Sequence, residues 1–306
     1  AATETRDART LRIGGFQQAH ILMLRSITDV RELQDLIDNG ITFTVGSNEA
    51  GIALNGLAGE LHTVAEARIR VDTGLGQYGF LPTETDKMLN LYRHMPGIAI
   101  TGMYTRMSGV NLKSAAEAQY KAFADAAKAL QDLGVDTGTL MALDSCSLFR
   151  LDVGEQNAIL VGSALIGRTP LKTGAGLVKV GSVEASLEEV KWLPEGTVVG
   201  LGKGKALKKP TRVAVLDLGW ANGIGVLHRS ERQELPPLRP ARAFVNPNER
   251  FEPVVRVGGK KVPILGQTGM TALTLDVTKC ECSPKDLAVM DADPRMVRFL
   301  PVEMRE

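Results

Sequence analysis

Apolar positions along the first half of the chain follow two alternating rhythms. Short runs with few polar breaks predict buried strands: HILMLRS (20–26), ITFTVGS (41–47), residues 67–72, IAITGMYT (98–105) and TLMALD (139–144). Between them, apolar residues recurring every three or four positions predict helices over 29–40, 48–63, 83–94 and 114–133. TETRDARTLRIGG predicts one more helix at the start, with Thr3 or Thr5 as cap and Gly14-Gly15 as stop. ILVGSALIG (159–167) predicts the last strand of the series. Strands that alternate with helices and are apolar throughout pair in parallel and are covered on both faces. About six such units make most of a (β/α)₈ barrel.

The pattern changes at Arg168-Thr169-Pro170. LVKVGSVEASLEEVKWL, TVVGLGKG, TRVAVLDLGW, VVRVGG, KVPILG and LTLDVT are short strand-like runs separated by glycine-rich turns. The expected fold is therefore an incomplete TIM-like α/β barrel of parallel strands over 1–170. An all-β C-terminal domain over 171–306 follows it.

Composition narrows the class. The 306 residues are 44% hydrophobic and 23% charged, as in a soluble globular protein. A formal charge of +1 removes any broad attraction to nucleic acid or an anionic membrane. No apolar run reaches the roughly 20 residues that span a bilayer. No signal peptide is read at the start, and three cysteines, Cys146, Cys280 and Cys282, form no disulfide framework. A reducing cytoplasm is expected. Cys146 reads as a small buried residue, and Cys280 and Cys282 as exposed turn cysteines, because no second pair has zinc-like spacing. The basic run 200–212 reads as a solvated hairpin loop, and Trp192 and Trp220 as packing residues.

The chemistry concentrates in ARIRVDTGLGQYGF (67–80). Its glycines at 74, 76 and 79 satisfy G-x-G-x-x-G after a strand, the pattern of a dinucleotide-binding loop. That reading requires an acidic residue about 20 positions on. The chain has His94-Met95-Pro96-Gly97-Ile98 there, so the reading is set aside. VDTGLGQYGF instead resembles VDTGMGRLGF, the signature of the alanine racemase family of pyridoxal-phosphate (PLP) enzymes. The resemblance extends along the chain. GMYTRMS (102–108) stands where the family has G-x-x-T-H-x-x, DSCS (144–147) where it has Asn-Ser-Ala, and VGSALIGR (161–168) at V-R-x-G-x-x-x-Y-G. LEEVKWLPEGTVVGLG resembles K-x-x-P-x-G-x-x-V-G-Y-G, VAVLDLGWANG (213–223) the strand ending G-Y-A-D-G, and VPILGQTGMTALTLDVT (262–278) P-I-x-G-x-x-x-M-D-x-x-x-x-D-V-T.

The resemblance implies a barrel with a β-domain, a homodimer whose sites form between one subunit's barrel and the other's β-domain, a PLP cofactor and an amino-acid substrate. It also implies a Schiff-base lysine at the end of the first barrel strand. By the same alignment this chain begins at the end of the second strand, so that lysine would come from a separate N-terminal segment. Lys87, Lys121 and Lys128 read as solvated helix positions and Lys113 as a loop residue. Other family positions are changed. Trp220 stands for the catalytic tyrosine, and its indole N–H cannot act as a base. Asn222 and Thr271 replace aspartates, Gln77 and Leu160 replace arginines, Arg106 replaces a histidine, and Arg70 replaces a lysine. Met270 is retained on the substrate side. The phosphate corner survives in Ser145 and the backbone of Gly162 and Ser163, to which Arg106 would add charge unless it pairs with Asp72 or Asp144. Three readings follow: a catalytically degenerate homologue, a racemase completed by an N-terminal segment, or a binder of another phosphorylated small molecule.

Overall fold

The strands of the first half pair as their spacing predicts, side by side and in one direction. A computed structural model describes residues 1–108, 113–152, 157–168, 176–200, 206–224 and 254–304. The chain forms two compact units, Ala1–Ala164 and Leu165–Glu306. In the first, α1 (Thr5–Ile13), β1 (Leu22–Ser26), α2 (Val30–Asp38), β2 (Thr42–Val45), α3 (Asn48–Glu60) and β3 (Ala65–Val71) open the alternation. It continues through α4 (Thr85–His94), β4 (Ile98–Thr105), α5 (Lys113–Asp132), β5 (Thr139–Asp144) and β6 (Ala158–Leu160). The six strands form one curled sheet in the order β1-β2-β3-β4-β5-β6, and every pairing is parallel. This is the incomplete parallel barrel that the sequence predicts.

Local chemistry sets the boundaries. Asp29 accepts from the Glu32 amide at the start of α2, and Ser47 from the Ala50 amide at the start of α3. Each relieves one of the unpaired N–H groups of a first helical turn. The cap of α1 is neither Thr3 nor Thr5 but Glu4, which gives no side-chain bond. Lys113 is the first residue of α5 rather than a loop residue, and it reaches Glu117 one turn on at 3.7 Å. The expected strand 159–167 stops at Leu160 and becomes a short 3₁₀ turn, Ser163–Ile166. The amides of Gly162 and Ala164 turn toward Ser145 Oγ instead of a neighbouring strand.

The two faces of the parallel sheet differ. Ala65, Ala67, Ile69 and Val71 of β3 join Leu33, Leu36, Leu54, Met88, Leu91, Phe123 and Leu130 of the helices in one apolar core. The opposite face carries a smaller cluster of Leu22, Tyr104 and Met141, backed by Leu24, Ala158 and Leu160. Because strand side chains alternate, Glu66, Arg68 and Arg70 of β3 lie on this second face. It is polar along β3, where the reading of strands apolar on both faces expected an apolar lining.

The second unit is all β. One antiparallel sheet has the order β11-β10-β14-β7, with β7 (Ser182–Ser186), β10 (Val255–Val257), β11 (Lys260–Val262) and β14 (Leu287–Asp291). The other has the order β12-β13-β9-β8, with β8 (Glu189–Leu193), β9 (Thr211–Leu216), β12 (Ile264–Leu265) and β13 (Leu273–Asp276). The run KVPILG crosses from one sheet to the other at Pro263, whose missing N–H ends the ladder. In TVVGLGKG only a bridge from Val198 to Ala206 is present, and 201–205 lie outside the described residues, as part of the basic run.

Two side-chain expectations are overturned in this unit. Cys280 and Cys282 are buried within its apolar core rather than exposed. Arg212 on β9 donates to the carbonyls of Cys280 at 3.1 Å and Cys282 at 2.6 Å, so the turn's backbone is held while its thiols enter the core. Burial raises the Cys282 pKa. Trp192 and Trp220 are exposed by 61% and 54%, not packed, because β8 is an edge strand and Trp220 lies in a 3₁₀ turn. Cys146 is buried, as expected. No helix among the described residues is long and apolar enough to cross a membrane.

Candidate functional site

In a parallel barrel the loops after the strands are free to carry chemistry. The loop after β3 is closed by its own aspartate. Asp72 Oδ1 accepts from the amides of Gly74, Leu75 and Gly76 at 3.0, 2.8 and 3.1 Å. These are the amides a phosphate would need, so the loop is not a nucleotide cradle. Phe80 then returns beside the strand, its amide donating to Arg70 O and its carbonyl accepting from the Asp72 amide. Gly79 permits this. Its φ is +123°, and a Cβ there would lie 2.8 Å from the Asp72 nitrogen. The loop after β4 is tied to it: Ser108 Oγ donates to Gly74 O at 2.7 Å, and the Thr73 and Thr105 hydroxyls meet at 2.8 Å. Gln119 of α5 holds Ser108 in turn, accepting from its amide and donating to its carbonyl.

Ser145 and Gly162 come together at the ends of β5 and β6. The Ser145 hydroxyl is buried and accepts from the Gly162 amide at 2.8 Å and the Ala164 amide at 3.2 Å. Ala164 was not read as a site residue. Its nineteen-residue separation from Ser145 gives no local signal, whereas the serine is the kind of side chain that closes such a corner. Ser163 lies between the two donors, and its own amide makes no bond to Ser145. Asp144 is committed to its turn, accepting from the amides of Cys146 and Ser147 and from the Ser147 hydroxyl. Arg106 and Gln77 are exposed, and no ion pair joins Arg106 to Asp72 or Asp144 among the described residues.

Arg70 is the residue whose importance the sequence does not show. It is 2% exposed, on the inner face at the end of β3. One guanidinium nitrogen donates to Leu24 O at 3.2 Å, the Tyr104 hydroxyl interacts favourably with the charge, and the Tyr78 ring lies 5.5 Å away. The proton order across this layer follows from donor counting. Thr44 Oγ1 donates to Met23 O, so the Tyr104 hydroxyl, 2.8 Å from it, must donate to Thr44. The Tyr104 oxygen is then left to accept from Arg70. Burial raises the Tyr104 pKa against the pull of Thr44, Arg70 and Arg106. Burial lowers that of Arg70, with Arg106 adding to the effect and Tyr104 and the Asp72 carboxylate opposing it.

In the second unit Trp220 and Met270 are brought together through the backbone. The Trp220 amide donates to Gly269 O and the Ala221 amide to Met270 O, both at 3.0 Å. Gly219 makes the approach possible, since a Cβ there would fall 2.2 Å from Met270 O. Asn222 does not face outward as a catalytic acid would. Its side-chain oxygen accepts from the Gly219 amide.

A phosphate ester fits part of this arrangement: Ser145 Oγ accepts from the Gly162 and Ala164 amides at the ends of β5 and β6, and its own hydrogen is left to donate to a phosphate oxygen. An aldehyde partner does not fit. All four lysines of the first unit lie on α4 or α5, each exposed and paired, with Glu84, Glu117, Asp125 and Asp132 in order.

Residues 1–170 match the family described as alanine racemase, N-terminal domain, and residues 180–294 match alanine racemase, C-terminal domain. An alanine racemase of Methanococcus maripaludis is 26% identical over 288 residues, 92% of this chain and 71% of that protein. Alanine racemase 2 of Caldanaerobacter subterraneus is 24% identical over 287 residues, 92% of this chain and 68% of its own length. An alanine racemase of Halothermothrix orenii is matched over only 58% of its length. Among solved structures, alanine racemase of Clostridium difficile has a TM-score of 0.77 at 19% identity, covering 96% of this chain and 73% of that one. The alanine racemase of a D-cycloserine-producing Streptomyces lavendulae has 0.76 at 21%, with the same coverage. With both domain descriptions matched in order and the parallel sheet followed by antiparallel ones, the chain belongs to the alanine racemase family.

Proposed function

We propose that this chain, with a barrel portion at 1–170 and a β-domain at 171–306, is a catalytically degenerate racemase homologue that keeps a phosphate-binding corner. The observation that carries this reading is the convergence of the Gly162 and Ala164 amides on Ser145 Oγ, alongside lysines confined to helices. PLP, when bound to a racemase, supplies the electron sink that acidifies an amino acid's α C–H. Toward that group, Ser145 would accept or donate at a phosphate oxygen and the Gly162 and Ser163 backbone would donate. Arg106 would approach as a full positive charge. At the Trp220–Met270 corner the indole can donate a hydrogen bond but cannot take a proton from carbon. The family relationship also favours a homodimer, and sedimentation at micromolar concentration tests that.

A second reading, an active racemase completed by further sequence that supplies the lysine, is favoured by the relatives' greater length. The test separates them. The product of the complete gene, including any sequence encoded ahead of this chain, is incubated with PLP, reduced with borohydride and assayed for α-deuterium exchange into alanine. The degenerate reading expects PLP binding that weakens about tenfold in Ser145→Ala, about 1.4 kcal/mol, with no reduced adduct and no exchange. Exchange, or an adduct on any lysine, would establish the active reading instead. PLP binding unchanged in Ser145→Ala would remove the phosphate corner.

A further inference from the structure

We propose that the open edge of β8 pairs antiparallel with β8 of a second copy of this chain, across a two-fold axis at Lys191. The starting point is the direction of the backbone. β8 lies at one end of its sheet and is bonded, among the described residues, to β9 alone. Across that pair Trp192 stands opposite Arg212. The Arg212 backbone is turned away from it: its carbonyl accepts from the Val277 amide at 2.9 Å, and its amide donates to Thr278 Oγ1 at 3.0 Å. In an antiparallel pair, residues that exchange hydrogen bonds alternate with residues that do not. Trp192 and Val190, two positions before it, therefore aim their N–H and C=O groups at the open side. The Glu188 amide also reaches Val215 O, opposite Glu189, and this bulge limits the open edge to those two residues.

An unpaired edge is a template for another strand, and an edge lysine commonly guards against it. Here Lys191 is neutralised by Glu189, 2.9 Å away on the same strand. What remains is self-complementary. With the axis at Lys191, Val190 of each copy faces Trp192 of the other, and each such pair exchanges both of its N–H···O=C bonds. An aromatic side chain against a β-branched one is a favoured cross-strand combination. Trp192 is 61% exposed and has its ring to bury there. On the other face the two lysines meet at the axis. Each has its own Glu189 beside it and the other copy's on the diagonal, so the four charges sum to zero. An axis at Val190 would set Trp192 against Glu188, whose amide is already bonded to Val215, and would form fewer bonds. Five residues of strand are small beside the roughly 1,200 Å² of a stable interface, so the pairing depends on concentration. It joins β-domain to β-domain, unlike the barrel-to-β-domain contact that the family relationship implies.

The test is sedimentation of the full chain over a rising concentration series, together with single cysteines placed on β8. The average mass of wild type should rise with concentration. In Trp192→Glu and in Lys191→Glu, both at exposed positions, the rise should need at least tenfold more protein. Lys191→Glu mixed with Glu189→Lys should recover it, because one strand is then acidic and the other basic. Lys191→Cys should crosslink to itself under mild oxidation. Residues facing each other at a non-bonded antiparallel position lie about 4.5 Å apart, within reach of a disulfide. Glu189→Cys should not crosslink, since the axis sets its counterpart about 14 Å away along the strands. Wild type, whose three cysteines are free and buried, is the blank. A barrel-to-β-domain dimer would change only the mass from which the rise begins and would leave the crosslinking pattern as it is. A mass independent of concentration, a rise that persists unchanged in both charge variants, or no crosslink in Lys191→Cys would each overturn the proposal. Glu189→Cys crosslinking as readily as Lys191→Cys would overturn it too.

Discussion

Two arginines are buried to a similar degree, one in each unit, and their surroundings are opposite. Arg168, 7% exposed, donates to Asp291 at 2.6 Å and to the Ala292 carbonyl, while Lys179 reaches the other Asp291 oxygen at 2.7 Å. Arg70, 2% exposed, has a carbonyl, a phenol and a ring. Both leave a buried Nε without a partner, so the difference lies in charge and not in donor count. Arg168 fastens a strand. Arg70 makes no ion pair among the described residues, and only the through-space attraction of Asp72 offsets its burial. Burial alone therefore does not tell an ion-paired arginine from one held mainly by neutral groups.

The comparison can be broken by mutation. Arg168→Met should cost about 2–3 kcal/mol, because it removes one partner of a half-buried ion pair and strands a carbonyl. Denaturant unfolding checks this, and a loss below about 0.5 kcal/mol would mean that Arg168 is no more structural than Arg70. Tyr104→Phe should cost about 1–2 kcal/mol by the same measurement, since it takes from Arg70 an acceptor and from Thr44 a donor. No loss there would show that Arg70 does not depend on the phenol.

Acid titration sharpens the Arg168 side. Burial alone would raise the Asp291 pKa, but hydrogen bonds from Lys179 and Arg168 outweigh it, and the net shift is downward. A depressed carboxylate pKa adds stability above its unfolded value, near 4, which is lost as pH falls through the folded value. Wild type should therefore lose stability more steeply below about pH 4 than Asp291→Asn. Parallel slopes would remove the ion pair from the account. The smallest effect is expected at the surface pair Lys121–Asp125, 2.6 Å apart with both side chains mostly exposed. Lys121→Ala should change stability by no more than about 0.5 kcal/mol, which sets the scale against which the buried arginines are judged.

Much of the first unit was legible because its chemistry is local. The glycines at 74, 76 and 79 all adopt positive φ, a requirement visible in any sequence. Asp29 and Ser47 stand directly before the helices they cap. The second unit was harder. LAVMD (287–291) went unread as a strand, yet β14 lies inside its sheet, paired with both β7 and β10. Five residues between polar turns carry too little periodicity to stand out. Cys280 and Cys282 looked like turn residues, and their turn is real. What could not be read was Arg212, 68 and 70 positions away, holding their carbonyls so that the thiols face inward.

The order of strands and helices in the first unit, the change from alternating to all-β architecture and the family membership were all present in the linear chain. They rest on periodicity and on motifs that span a few residues. The meeting of Ser145 with Gly162 and Ala164, and the burial of Arg70 without an ion pair, were decided only by folding. Alternation along ARIRV does put residue 70 on the inner face. What stands opposite it comes from β1, β2 and β4, and a charge is compensated by its neighbours in space rather than in sequence.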